Sequence, residues 1–393
     1  MTEDRSSEGE SHALTTPGMP EPGDWRGWMR WAVRQDWTDP ATWRRFTLPW
    51  TVTPQPEDVR APVEVEWTSF AETEPGDAFA EHWRRLDPHL ERWWRSDGRS
   101  DGKIADGHGE EMLKQHMPEL VPVWASLVEL AGGSRVAASI LTLWNPPPFL
   151  TGCSQAVVGA GGPALVRNYD WDYRLFDATV AHTGYLGRRV VGTEDCGWGL
   201  LDGVNDAGLA VSLTFGGRPQ VGEGFGIPLV LRYVLQTCMD VEAAVAALVR
   251  IPVHMSYNVT LTDLTGRAST VFVAPDRPAR ATRAVTSTNH QGEVEWRPYC
   301  DAIRSEERLA ALDERLDRGD DVPELTGALL RDPLYARRFH HGFGTLYTAV
   351  IRPEEQSVTY QWPGRDPWTH AIERPRDDTT TVRLLPGEPP DQP

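Results

Sequence analysis

A short strand-type run at Ser154–Val158 is followed by Gly159-Ala160-Gly161-Gly162-Pro163 and then by a second run at Ala164–Trp171. Glycine and proline between two such runs predict a β-hairpin. Further along, Leu209–Phe215 reads as a strand, and Ile227–Val249 as two helices split near Thr237–Asp240. Tyr257–Asp263 and Ser269–Ala274 form a hairpin across Leu264-Thr265-Gly266, and Ala302–Leu316 reads as one helix. Leu346–Arg352 and Ser357–Trp362 make a last hairpin. Strands, then helices, then strands again predict an α+β layered-sheet protein rather than a βαβ wind.

The half before residue 153 reads as mostly helical. Glu110–Ala131 carries helical patterns around Pro118 and Pro122, and Gly132-Gly133-Ser134 opens another helix through Ala137 and Ile140. Asn145-Pro146-Pro147-Pro148 ends it, because serial prolines cannot continue a helix. Phe149–Gly152 is then expected to be an extended, exposed linker. Residues 24–100 are rich in tryptophan; Trp28, Trp31 and Ala32 would share a helix face, and the tryptophans are expected to pack on the body of the protein, or else to form a lid or an aromatic acyl-binding wall. Arg95–His108 reads as a charged loop, residues 1–23 as a disordered acidic N-terminus, and residues 387–393 as a polar tail. The expected division is therefore 1–23, 24–152, 153–386 and 387–393.

Charge narrows the function. A net charge of −18 and a pI near 5.1 argue against nucleic acid, whose phosphates need clustered Lys and Arg. No apolar run of membrane-spanning length occurs, and the polar, acidic start is not a signal peptide. Cysteines 153, 196, 238 and 300 have no close spacing, which fits a reducing cytoplasm without disulfides or a zinc site. No cofactor or metal is expected.

The candidate chemistry begins at Gly152-Cys153-Ser154, where the hairpin opens. Its returning strand carries Arg167 and Asp170, a cation and a carboxylate. That layout suits a cysteine nucleophile that becomes a new N-terminus when the Gly152–Cys153 bond is cut. The freed α-amine, with a reference pKa of about 7.7–8.0, can serve as base for its own side chain. A nearby guanidinium lowers a thiol pKa. Because residues three apart point to opposite faces of a regular strand, a bulge or strand end is expected near Asn168–Asp170. A rival is a papain-like pair of Cys153 with His290. Against it, the papain signature is absent and Ser154–Val158 is not a helix start. Gly159-Ala160-Gly161-Gly162 fails as a dinucleotide loop, since no helix follows it.

Gly-Cys-Ser at 152–154 and Arg-Asn-Tyr-Asp-Trp at 167–171 resemble the penicillin acyltransferase-like (C45-type) N-terminal nucleophile hydrolases. Choloylglycine hydrolases and acid ceramidase-like amidases are more distant relatives. Asp202–Leu209, Thr286–His290, Ser305–Leu309 and Gly344–Thr348 with Val358–Tyr360 resemble further family segments in the same order. The resemblance implies an αββα four-layer sandwich, with the chain cut before Cys153 into α and β chains that stay associated. It implies that Arg167 lies beside the thiol, that Asp170 holds the α-amine, that Asn289 donates into the oxyanion hole, and that Arg308 organises the site. A second donor is expected from a backbone N–H near Leu213–Phe215, while Asn205 reads as a turn residue. The expected partner is a small N-acyl substrate cut at a linear amide bond, with a homo-oligomer possible. Alternatives are transfer from an acyl thioester to an amine, and a silent relative whose Trp-rich half binds a partner.

Overall fold

The computed structural model describes residues 61–95, 102, 104, 106–149, 151–339 and 343–386. The expectations for residues 1–23 and 387–393, and for Trp28 and Trp31, lie outside them.

Upstream of Cys153 the chain forms strand β1 (Val63–Glu72) and helices α1 (Asp77–Trp94), α2 (His108–His116), α3 (Val121–Leu130) and α4 (Arg135–Thr142). Then come β2 (Gly152–Val158), β3 (Ala164–Trp171), β4 (Thr179–Thr183), β5 (Val190–Asp195), β6 (Gly199–Asn205) and β7 (Ala210–Phe215). Helices α5 (Ile227–Thr237) and α6 (Val241–Arg250) lead to β8 (Tyr257–Thr262), β9 (Ala268–Ala274), β10 (Arg277–Thr282) and β11 (Thr286–Ser287). Helices α7 (Arg297–Ala302), α8 (Ser305–Asp317) and α9 (Val322–Leu329) precede β12 (Arg337–Arg338) and β13 (Phe343–Arg352). The described chain closes with β14 (Ser357–Gln361), β15 (Trp368–Ala371) and β16 (Asp378–Leu384).

The strands form two sheets. One runs β10-β9-β8-β7-β6-β5-β4-β1-β16 and the other β11-β2-β3-β13-β14-β15, with β12 beside β13. Helices α5 and α6 cover the outer face of the first sheet, and α8 and α9 cover the outer face of the second. The inner faces meet where β2 and β3 cross β7 and β8. This is the expected αββα sandwich. Every pairing between these strands is antiparallel except β1 with β4, where Thr68–Glu72 runs parallel to Thr179–Thr183.

Strand β1 departs from the helical reading of the upstream half. Its exposure alternates from Val63 to Trp67, the period of a half-buried strand. Trp67 enters an aromatic cluster, with ring centroids 5.0 Å from Phe176, 5.4 Å from Tyr347, Tyr360 and Trp362, and 6.2 Å from Trp368. The expected break between α5 and α6 is real: Asp240 caps α6, accepting from the Ala243 N–H at 2.8 Å. The single helix expected at Ala302–Leu316 is two, interrupted at Arg304, which adopts φ 55°. Asn205 holds the β6–β7 turn, accepting from Ala207 and Leu209 and donating to the carbonyls of Leu235 and Cys238.

Candidate active site

Cys153 sits inside β2, fully buried. Among its described residues the expected linker is not exposed: Phe149 is half-buried, Thr151 and Gly152 are buried, and Gly152 is already part of the strand. A Cβ on Gly152 would lie 2.5 Å from the Phe343 ring and 3.2 Å from Asp170 Cβ, so only glycine fits here.

The β2/β3 register is unbroken: Gly152 faces Asp170, Cys153 faces Tyr169, and Gln155 faces Arg167. The expected bulge is therefore absent from this ladder; the shift lies on β13, between Thr345 and Tyr347. Strand alternation is obeyed instead, and the site straddles the sheet. On the inner face Arg167 Nη2 lies 3.5 Å from Cys153 Sγ. Arg167 Nη1 donates to Asp202 at 2.9 Å and to the Leu201 carbonyl at 2.8 Å. Its guanidinium also lies 5.0 Å from the Tyr169 ring centre. On the outer face Asp170 accepts from Thr345 at 2.7 Å and from Arg308 at 3.2 Å.

Arg308 and Asn289 grip the main chain of Cys153. Arg308 Nη1 donates to the Cys153 carbonyl at 2.7 Å and to Ser154 Oγ at 2.8 Å, and Nη2 donates to Asn289 Oδ1 at 2.7 Å. That same Oδ1 accepts from the Cys153 N–H at 2.9 Å, while Asn289 Nδ2 donates to the Phe215 carbonyl at 3.1 Å. Phe215 thus meets the site as an acceptor, not as the expected N–H donor. Ser305, at the start of α8, accepts from the Asn289 N–H at 2.8 Å and anchors it.

All five candidate side chains, Cys153, Arg167, Asp170, Asn289 and Arg308, meet within one hydrogen-bonded network. His290 does not join Cys153: its Nδ1 pairs with Ser305 Oγ at 2.9 Å. Thr345, Tyr299, Asp202 and Ser305 are the neighbours that residue-by-residue reading misses. Tyr299 donates to the Thr151 carbonyl. Asp202, Ser305 and Thr345 lie in segments already singled out, but nothing in a strand or helix-start pattern names the partner each would find.

Burial pushes the Cys153 thiol up; Arg167 opposes that, and Asp170 adds to it. Burial likewise raises Asp170, against Arg308 and Thr345. Burial thus favours the neutral thiol over the thiolate. Among the described residues Cys300, Asp301 and Glu306 approach one another as possible metal ligands, but both acids are exposed and pair with Arg297.

A cavity of about 670 Å³ opens on the inner-face side of this site. Tyr169, the cross-strand neighbour of Cys153, lines it together with Phe149, Trp171, Phe176 and, from α1, Trp93.

Two sheets between helical layers, with a cysteine on an inner strand, define an N-terminal nucleophile hydrolase fold. The chain matches the family described as acyl-coenzyme A:6-aminopenicillanic acid acyl-transferase over residues 157–367, more than half its length, and belongs to that family. Solved structures similar to it include penicillin V acylase from Agrobacterium tumefaciens, at 14% identity over 56% of this chain and 86% of that one, with TM-score 0.40. A mutant of conjugated bile acid hydrolase from Clostridium perfringens matches at 13% identity over 61% and 100%, with TM-score 0.41. The Caenorhabditis elegans ortholog of N-acylethanolamine-hydrolyzing acid amidase matches at 16% over 51% and 92%, with TM-score 0.38. No curated protein matches the chain. Among the described residues no helix is long and apolar enough to cross a membrane.

Proposed function

We propose that this chain is a cysteine amidohydrolase or acyltransferase that cuts itself between Gly152 and Cys153, then acts on linear amide C–N bonds through a thioester. One observation carries the reading: Asn289 and Arg308 hold the main chain of Cys153 while Arg167 meets its thiol.

In self-cleavage, Sγ attacks the Gly152 carbonyl carbon and the Gly152–Cys153 C–N bond breaks. The thioester so formed is hydrolysed, leaving a free α-amine on Cys153. In turnover that amine takes the thiol proton and Sγ attacks the substrate carbonyl. Arg308, bonded to both the Cys153 carbonyl and Asn289, disfavours an ammonium beside it and keeps the amine available as a base. Asn289 Nδ2 turns from the Phe215 carbonyl to the developing oxyanion. The α-ammonium returns its proton to the leaving amine, and water or a second amine takes the acyl group. Transfer from an acyl thioester to an amine is the second reading, favoured by the description of the matched family.

Intact-mass measurement of purified protein tests this. Two fragments meeting at Gly152/Cys153 are expected, with Cys153→Ala uncut and inactive on N-acyl amines, with or without an acyl thioester donor. A fully active single chain would overturn self-cleavage.

A further inference from the structure

Asp177 and Asp195 both line the cavity beside Tyr169. Asp195 is buried, and it accepts from the Cys196 N–H at 2.9 Å and the Tyr169 hydroxyl at 3.5 Å. Asp177 accepts from the Gly197 N–H at 3.2 Å. Among the described residues neither carboxylate has an ion pair. The other buried carboxylates near the inter-sheet face differ: Asp202 is paired with Arg167, and Glu194 with Arg232 at 2.7 Å and His82 at 2.8 Å. Burial, and then the charge of Asp177, push Asp195 well above the carboxylate range. Both acids face the same cavity, and a cation lodged between them would favour their ionised forms.

Arg85, Arg92, Arg95 and Arg174 line the cavity together with aromatic surface, and the charges of His82 and Arg85 reach Asp177. Trp93, Trp171, Phe149 and Phe176 supply aromatic surface, on whose faces an ammonium is favoured. Two of the arginines that line the cavity are neutralised: Arg174 by Asp172 at 2.6 Å and Arg95 by Glu91 at 2.9 Å. Arg85 donates to Thr179 at 2.7 Å and Thr68 at 3.2 Å. Tyr169 links the pair to the reaction centre, since it faces Cys153 in the β2/β3 register and its hydroxyl points to Asp195.

We propose that the cavity takes the acyl half of the substrate and that Asp177 and Asp195 receive a primary ammonium group on it. This rests on the reading of Cys153 as an acyl-transfer nucleophile. The enzyme then prefers acyl groups with an aromatic or aliphatic body ending in a protonated amine over neutral groups of the same shape.

Two measurements test it. The first compares 4-(aminomethyl)phenylacetyl p-nitroanilide with its near-isostere 4-ethylphenylacetyl p-nitroanilide. Wild type should favour the ammonium substrate in kcat/KM by on the order of 10²-fold. Asp177→Asn and Asp195→Asn should abolish that preference and leave the neutral substrate within about threefold. Equal rates on wild type, or an equal loss on both substrates, would overturn the proposal while leaving the acyl-transfer reading intact. The second is calorimetric binding of 4-methylbenzylammonium, 4-methylbenzyl alcohol and 4-methylphenylacetate to the wild-type protein, which needs no turnover. Binding of the ammonium alone, lost in Asp195→Asn, supports the site even if neither anilide is cleaved. Preferred binding of the carboxylate would assign the cavity to its arginines instead.

Discussion

Asn289 Oδ1 accepts from the backbone N–H of Cys153 at 2.9 Å, so one amide side chain touches the atom that the proposed cut would turn into an α-amine. Its other end, Nδ2, donates to the carbonyls of Thr151 and Phe215. The two ends of Asn289 can therefore be separated by mutation.

Asn289→Asp keeps an acceptor for Cys153 and Arg308 but removes the Nδ2 donor. It should fold, and kcat should drop about 10²–10³-fold with little change in KM, because the lost bond forms mainly in the transition state. Steady-state kinetics on processed protein check this; an unchanged kcat would reduce Asn289 to an anchor for the Cys153 backbone.

Gly152→Ala places a methyl group 2.5 Å from the Phe343 ring. Overpacking of this kind costs about 1–3 kcal/mol. The variant should be less stable and cut more slowly, and Gly152→Ala with Phe343→Leu should recover part of both. Denaturant melts and a cleavage time course read the two effects. No recovery would mean that Gly152 matters for its backbone and not for its lack of a side chain.

Trp67→Ala empties a site ringed by five aromatic side chains, all of them downstream of the proposed cut. A loss of about 3–5 kcal/mol is expected in denaturant unfolding. In the cut protein the upstream fragment should also separate more readily during gel filtration in mild denaturant. Retention equal to wild type would place the grip between the fragments elsewhere.

His182 Nε2 and His370 Nδ1 lie 2.9 Å apart in the interior, and burial holds them at about 4 and about 3. His182 adds to the depression of His370, and Arg376 lowers both. Unfolded histidines titrate near 6.5, so below that pH the unfolded chain binds protons that the folded chain refuses. The neutral pair therefore contributes its full stability above about pH 6.5 and loses it progressively down to about pH 4 for His182 and about pH 3 for His370. By pH 5 the loss is roughly 2 kcal/mol per histidine. Melting curves from pH 7 to pH 5 should fall less steeply for His182→Gln with His370→Gln than for wild type; parallel curves would mean the pair is not the acid-sensitive element.

The β2–β3 hairpin is legible because a Gly/Pro turn separates two strand runs, and Ala164–Trp171 is β3 as read. The α5–α6 break is legible through Asp240. Strand β1 escapes the reading, although Val63 to Trp67 alternates, because the tryptophans on either side of it suggest helix. The candidate set at Cys153, Arg167, Asp170, Asn289 and Arg308 comes from motifs, and the chain folds them into one network. The face each takes is harder to foresee. A bulge would have turned Asp170 toward the thiol, whereas regular pairing sends it through the sheet to Arg308. Contacts such as Thr345 with Asp170 join residues far apart in sequence, and no local pattern encodes them.

The position of β1, between β4 and β16, bears on how the molecule must be made. Without the upstream segment, β4 would end its sheet with a bare row of N–H and C=O groups, and β16 would have lost its neighbour. Such an edge invites pairing with other chains. The downstream chain is thus an aggregation hazard if produced alone. The upstream segment leaves the ribosome first and can occupy that edge before any bond at Gly152 is broken. Order of synthesis thereby acts as a built-in chaperone, and co-expression of two separate fragments should yield less soluble protein than expression of the undivided gene.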